Sequence, residues 1–269
     1  MTAASLPAEP VRWSVPYAAS LARLGRSLFA AGLVGFAIGN VMVGDFIAGR
    51  APAWPAAAPG RLPFVYLTAL LFVGAAAWIV RRSREIWPLV AVAATITVWA
   101  LLRQIPAVLA DHGFGGAWTM FGKALAFSGG TLGVAASVLG AAEPAAPGND
   151  GRRATMDLLG RLSLGAFFVL AGIQHFMFAQ FVMTLVPAWI PGALIWTYIA
   201  GAALIASGVG LAFPPTSRLA AAMSGLMVLS WVFVLHIPRA VSMNNQNEWT
   251  AVAEAVAIAG MALAMVRGE

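Results

Sequence analysis

The chain has 269 residues, of which 61% are hydrophobic and 10% charged, whereas a soluble globular domain carries roughly a quarter charged residues. A water-soluble fold cannot hide that much apolar surface, so the composition points to a chain embedded in lipid. The net charge of +6 fits loop arginines that anchor membrane segments and makes no case for nucleic-acid binding. The absence of cysteine excludes disulfides, thiolate metal sites, a cysteine nucleophile and Cys-ligated iron–sulfur clusters.

In chain order, residues 1–27 carry Arg12, Arg23 and Arg26 ahead of the first long apolar run. No convincing cleavage site follows, so that run is read as a retained helix. Runs long enough to cross the hydrocarbon core of a bilayer fall at 28–43, 62–80, 88–102 and 118–139 in the first half. The third is free of charge only as far as Arg103, but a membrane helix tolerates proline and can continue through Pro106. The stretch from Ala141 to Arg153, rich in Pro, Gly and charge, reads as an exposed linker. The second half supplies runs at 162–183, 193–213, 219–237 and 249–266.

The expected fold is therefore all-α, a polytopic membrane protein of eight transmembrane helices arranged as two parallel-related four-helix bundles. Its units are an N-terminal extension with a first bundle over 1–140, a linker over 141–158 and a second bundle over 159–269. Of the 16 Lys and Arg, eleven fall on the side shared by both ends of the chain, against Arg50, Arg61, Arg103 and Arg239 opposite and Lys123 inside a span. The positive-inside rule then places both termini in the cytoplasm, and the location expected is the bacterial cytoplasmic (inner) membrane.

The two halves match each other at an offset of 135 that drifts to 131 farther along the chain. Leu24-Gly25-Arg26 aligns with Leu159-Gly160-Arg161, Asn40 with His175, Asp45 with Gln180, Phe46 with Phe181, and Pro52-Ala53-Trp54 with Pro187-Ala188-Trp189. Farther on, Trp99 and Gln104-Ile105-Pro106 match Trp231 and His236-Ile237-Pro238, Trp118-Thr119 matches Trp249-Thr250, and Lys123 falls on Glu254. Units with an even number of helices must keep one orientation, so the copies should be related by a pseudo-two-fold axis along the membrane normal.

Ionisable groups inside membrane spans are costly and mark function by default. In the second half these are His175, His236 and Glu254, on three helices at one projected depth if the seventh helix continues through Pro238. Gln174, Gln180, Arg239 and the Asn244–Asn247 loop lie nearby in that projection. The first half carries Asn40, Gln104 and Lys123 at the matching places, able to hydrogen-bond but without an imidazole. Lys123 and Glu254, at equivalent positions, can approach each other across the axis as a buried ion pair. The alternative for each residue is structural: an intramembrane histidine can donate to a backbone carbonyl, and a lysine near a helix end can snorkel. His112, in a Gly-rich loop, reads as solvated. Trp54, Trp87, Trp118, Trp189 and Trp249 sit near span ends and read as interfacial anchors, while Gly201, Ala202, Gly208 and Gly210 suit close helix packing.

Gly160-Arg161, Ala171-Gly-Ile-Gln-His175-Phe, Val186-Pro-Ala-Trp-Ile-Pro191, Gly201 and Gly208-Val-Gly-Leu211 before Pro214-Pro-Thr give the second half, over roughly 159–266, a pattern that resembles the DoxX/DoxD-like membrane proteins. The first half looks like a diverged copy. The resemblance implies a four-helix membrane unit, and some members of that family are subunits of quinone-linked oxidoreductases such as thiosulfate:quinone oxidoreductase. It carries over most directly to His175.

The leading expectation is a membrane subunit of a redox system. It would bind a quinone or similar lipophilic molecule near the outer leaflet through His175, His236 and Glu254, with electrons from an extrinsic periplasmic redox protein. A variant makes His175 and His236 the axial ligands of a haem b. From other classes, the chain is read as a small-solute transporter with its site between the halves, or as a scaffold whose loops dock a periplasmic partner.

Overall fold

The computed structural model describes residues 15–47, 59–81, 84–111, 113–141 and 149–266. The Pro52-Ala53-Trp54 repeat match and His112 lie outside the described residues. Among these residues the secondary structure is helical. In chain order the long helices are α1 (Ala18–Val43), α2 (Arg61–Val80), α3 (Trp87–Ala110), α4 (Gly116–Gly140), α5 (Asn149–Met177), α6 (Ala193–Ala212), α7 (Ser217–Met243) and α8 (Gln246–Ala264).

Local chemistry fixes several ends. Gly44, at φ 66°, closes α1 with its N–H on the Asn40 carbonyl, a left-handed cap that glycine adopts without steric cost. Asn245 opens α8 by accepting the Glu248 N–H at 3.0 Å, which satisfies one of the orphan donors of a helix start. Two expected boundaries are corrected. Helix α5 begins at Asn149, so residues 149–158 of the expected linker are helical. The run expected over 162–183 stops at Met177, and a short helix Ala179–Val182 and a tight turn Met183–Leu185 follow it.

Helices α3 and α7 both pass through their prolines and both widen just before them. Residues Ala100–Gln104 and Val232–His236 form π turns, with the Ile105 N–H on the Ala100 carbonyl and the Ile237 N–H on the Val232 carbonyl, each five residues back. Pro106 and Pro238 supply the cause, since a proline donates no N–H and its ring crowds the carbonyl four residues earlier. The two π turns occupy equivalent places in the repeat.

The helices α1 to α7 are each long and apolar enough to cross a membrane. Helix α8 falls short on apolarity because it opens on Gln246, Asn247 and Glu248 and carries Glu254, while nearly every residue from Ala253 to Ala264 is buried by protein. A helix that meets no lipid needs small side chains more than greasy ones. Its repeat partner α4 is the other inner helix, with 61% of its most apolar window buried against 28–44% for the other spans.

Consecutive helices pack on each other round a closed ring, α1 to α8 and back to α1, and α4 touches α8 across the middle. The most extensive interfaces are α4·α5 and α1·α8, so the first helix of each half lies on the last helix of the other half. The two halves, expected as parallel-related four-helix bundles, thus make their largest contacts with each other.

The two large interfaces are built from repeat-related pairs. Gly25 faces the backbone at Leu263 and Ala264, and Gly160, its counterpart, faces Gly133, the counterpart of Ala264. Where Gly35 gives room for Ala253, Gly122 gives room for Leu170. Where Gly39 lies beside Gln246, Gln174 donates to the Gly115 carbonyl at 3.0 Å. At the second and third of these levels the larger residue has changed sides of the interface, and each level keeps a glycine opposite it, as close packing requires. Within the first half, Phe36 fills the core with an edge-on contact to Phe127 at 5.1 Å and a tilted one to Phe72 at 6.3 Å.

Candidate functional site between the halves

Lys123 lies seven residues into α4 and Glu254 eight into α8, a depth of about 10–12 Å at the α-helical rise. Lys123 Nζ donates to Glu254 Oε2 at 2.7 Å, with the side chains 17% and 3% exposed. This joins equivalent positions of the two halves where α4 meets α8. Lysine's snorkelling alternative is not taken: the ammonium points to the carboxylate. Such a pair is held by geometry, because removing one partner strands a charge in a medium that cannot solvate it.

The π turns flank the pair. The turn that ends at Gln104 packs on α4, which carries Lys123, and the turn that ends at His236 packs on α8, which carries Glu254. Gln104 is 1% exposed and His236 half-buried. Both turns lie six or seven residues from the ends of their helices, matching the depth of the ion pair. Gln104 and His236 thus lie at about the depth of the ion pair. π turns recur at functional sites because they re-aim side chains and release backbone groups.

The remaining candidates from the sequence sit elsewhere. His175 turns its Nδ1 to the Ala171 carbonyl of its own helix at 2.7 Å and lies against Gly201 of α6. Helices α5 and α7, which carry the two histidines, form no substantial interface with each other. His175 thus packs on α6 and its own helix, away from the interface of α7 with α8 that carries His236 and Glu254. Gln174, 7% exposed, is committed to the entry of α4: it donates to the carbonyls of Phe114 at 2.8 Å and Gly115 at 3.0 Å and accepts from Thr119 at 2.7 Å. Gln180 is exposed. Arg239 grips Glu248 through two bonds of 3.1 and 3.3 Å and so ties the end of α7 to the start of α8.

Asn40 is fully buried at the end of α1, where its Oδ1 accepts from the Ile47 N–H at 2.9 Å. Beside it are two charged residues that sequence reasoning passed over as site members, Asp45 and Arg103, paired at 3.5 Å with their side chains each 10% exposed. The available signal was a charge at the edge of each apolar run, read there as orientation alone.

A family described as a domain of unknown function (DUF8561) matches residues 164–267, a stretch that lies within the second half and carries His175, His236 and Glu254. No curated protein matches the chain, and neither does any solved structure.

Proposed function

We propose that the chain is an eight-span protein of the bacterial inner membrane, with α8 as the eighth span and both termini cytoplasmic, that handles protons for a lipophilic redox molecule of the quinone class. The observation that carries this reading is the buried Lys123–Glu254 pair at the centre of the helix ring. An acid and a base in contact within a membrane form a proton-handling site by default, and the π turns add Gln104 and His236 at the same level. Lys123 has three N–H groups, one of which goes to Glu254, so it retains donors for a quinone oxygen. Glu254 and the His236 imidazole are groups that accept and return protons. Reduction of a quinone takes two electrons and two protons; this chain offers routes for protons, and the electrons would come from an extrinsic redox protein on the outer face. This reading moves the polar contacts from His175 to the axis.

Binding of a short-tailed quinone to the full chain in lipid nanodiscs, followed by quenching of tryptophan fluorescence, tests it. Saturable binding is expected, weakened at least tenfold in Glu254→Gln and in Lys123→Met and unchanged in His175→Ala. Equal binding by the wild type and both axis variants would overturn it.

The position of the pair between the two halves favours one second reading, a proton-coupled small-solute transporter, because parallel-repeat transporters place their sites at the repeat interface. Proton-driven solute uptake into sealed vesicles, lost in Glu254→Gln, would establish that reading in place of the first.

A further inference from the structure

A second polar cluster lies away from the axis, at the end of α1. The chain beyond α1 folds over Asn40: the Ile47 N–H donates to Asn40 Oδ1 at 2.9 Å, and the Phe46 N–H donates to Asp45 Oδ1 at 2.8 Å. Asp45 Oδ1 also pairs with Arg103 Nη1 at 3.5 Å. The Arg103 guanidinium sits 5.3 Å from the centre of the Trp99 ring, and Phe46 meets that ring edge-on at 4.1 Å. Asn40, Asp45, Phe46, Trp99 and Arg103 are thus linked in one continuous patch.

Two donors in this patch are unanswered. Asn40 Nδ2 and Arg103 Nη2 are both buried, and neither has a hydrogen-bond partner. The asparagine cannot be turned to remove the problem, because its oxygen is needed to accept the Ile47 N–H and an amide nitrogen accepts nothing. Buried donors left without acceptors are rare in folded proteins and call for a partner. Arg61, whose Nε donates to the Gly44 carbonyl at 2.9 Å, lies close enough to Arg103 for the two guanidinium charges to repel. The unanswered guanidinium N–H of Arg103 and the unanswered amide N–H of Asn40 both suit an anionic oxygen acceptor.

We propose that Asn40 and Arg103 form a binding site for the carboxylate group of an organic acid, one oxygen taking the amide N–H and the other the guanidinium N–H, against the aromatic wall of Phe46 and Trp99. Two acceptor atoms set side by side match two donors from different helices, and Arg favours that planar geometry. The site belongs to the first half alone: the repeat partners of Asn40, Asp45 and Arg103 are His175, Gln180 and Leu235. It is independent of the quinone reading, which rests on other residues.

Calorimetric titration of the full chain in lipid nanodiscs with sodium acetate and, separately, with decanoate tests the proposal, with sodium chloride as the comparison. Saturable binding of at least one acid is expected, weakened tenfold or more in Asn40→Leu and in Arg103→Gln and unchanged in Gln180→Ala. Saturation by acetate identifies an acid taken from water, and saturation by decanoate alone one taken from the bilayer. If neither acid saturates the wild type, if chloride gives the same response, or if both site variants bind as tightly as the wild type, the assignment is overturned. The wild-type titration decides the matter even if a variant fails to fold.

Discussion

In the second half of the chain His175 turns back to a carbonyl of its own helix and packs on α6, whereas in the first half the equivalent Asn40 holds the folded-over Asp45–Ile47 segment and leaves a buried donor. The same contrast runs through the pair at the centre, where one copy contributes a base, Lys123, and the other an acid, Glu254. Had both copies kept the same charge, two like charges would meet where α4 touches α8, at a cost the membrane interior cannot screen. The helix scaffold tolerates exchange of size and polarity between its copies, but the polar layer works only because the copies differ. Divergence between the halves is what makes an ion pair possible on a near-symmetric axis.

The scaffold half of that comparison gives the largest expected effect. Gly25→Val and Gly160→Val each drive a branched side chain into backbone on the facing helix, and overpacking at a backbone contact leaves no side chain to yield. Both are expected to abolish a monodisperse, folded peak on size-exclusion chromatography in detergent. If one is tolerated and the other is not, the two interfaces are not equivalent. The next effect is smaller and one-sided: Gln174→Leu takes away the amide bonds to the Phe114 and Gly115 carbonyls and to the Thr119 hydroxyl, for a loss of about 1–3 kcal/mol in thermal stability. Gln246→Ala, at the matching level of the other interface, is expected to cost less, since it faces Gly39 and leaves no such set of bonded groups behind. Least of all, Arg239→Ala breaks a part-exposed bidentate pair with Glu248, an effect of about 0.2–1 kcal/mol that added salt should diminish, as read from melting curves at low and high ionic strength.

Much of the helix layout was legible because composition and periodic apolar runs respond directly to lipid, and the repeat placed Lys123 and Glu254 at equivalent positions. Their approach followed from symmetry alone: residues at the same level on the inner helices of two parallel copies come near the axis together. Lateral neighbours were not legible. That α1 lies on α8 is decided by where Gly25, Gly32 and Gly35 let backbones approach, and small residues are too common in membrane helices to reveal their partner from one sequence. The orientation of His175 was equally hidden, since a helix-end imidazole satisfied by its own backbone has the same sequence as one that faces a ligand. The Asp45–Arg103 pair was visible only as two separate charges, because a folded-over loop, which no periodicity marks, brings them together.

The central claim is that Lys123 and Glu254 act as one unit across the two halves, and a double-mutant cycle on unfolding free energy in lipid measures it most directly. Lys123→Met and Glu254→Gln alone are each expected to destabilise by about 3–5 kcal/mol, as loss of one partner of a buried pair does, while the double variant regains most of that loss. Additive losses, with the double variant as unstable as the two singles combined, would contradict the account.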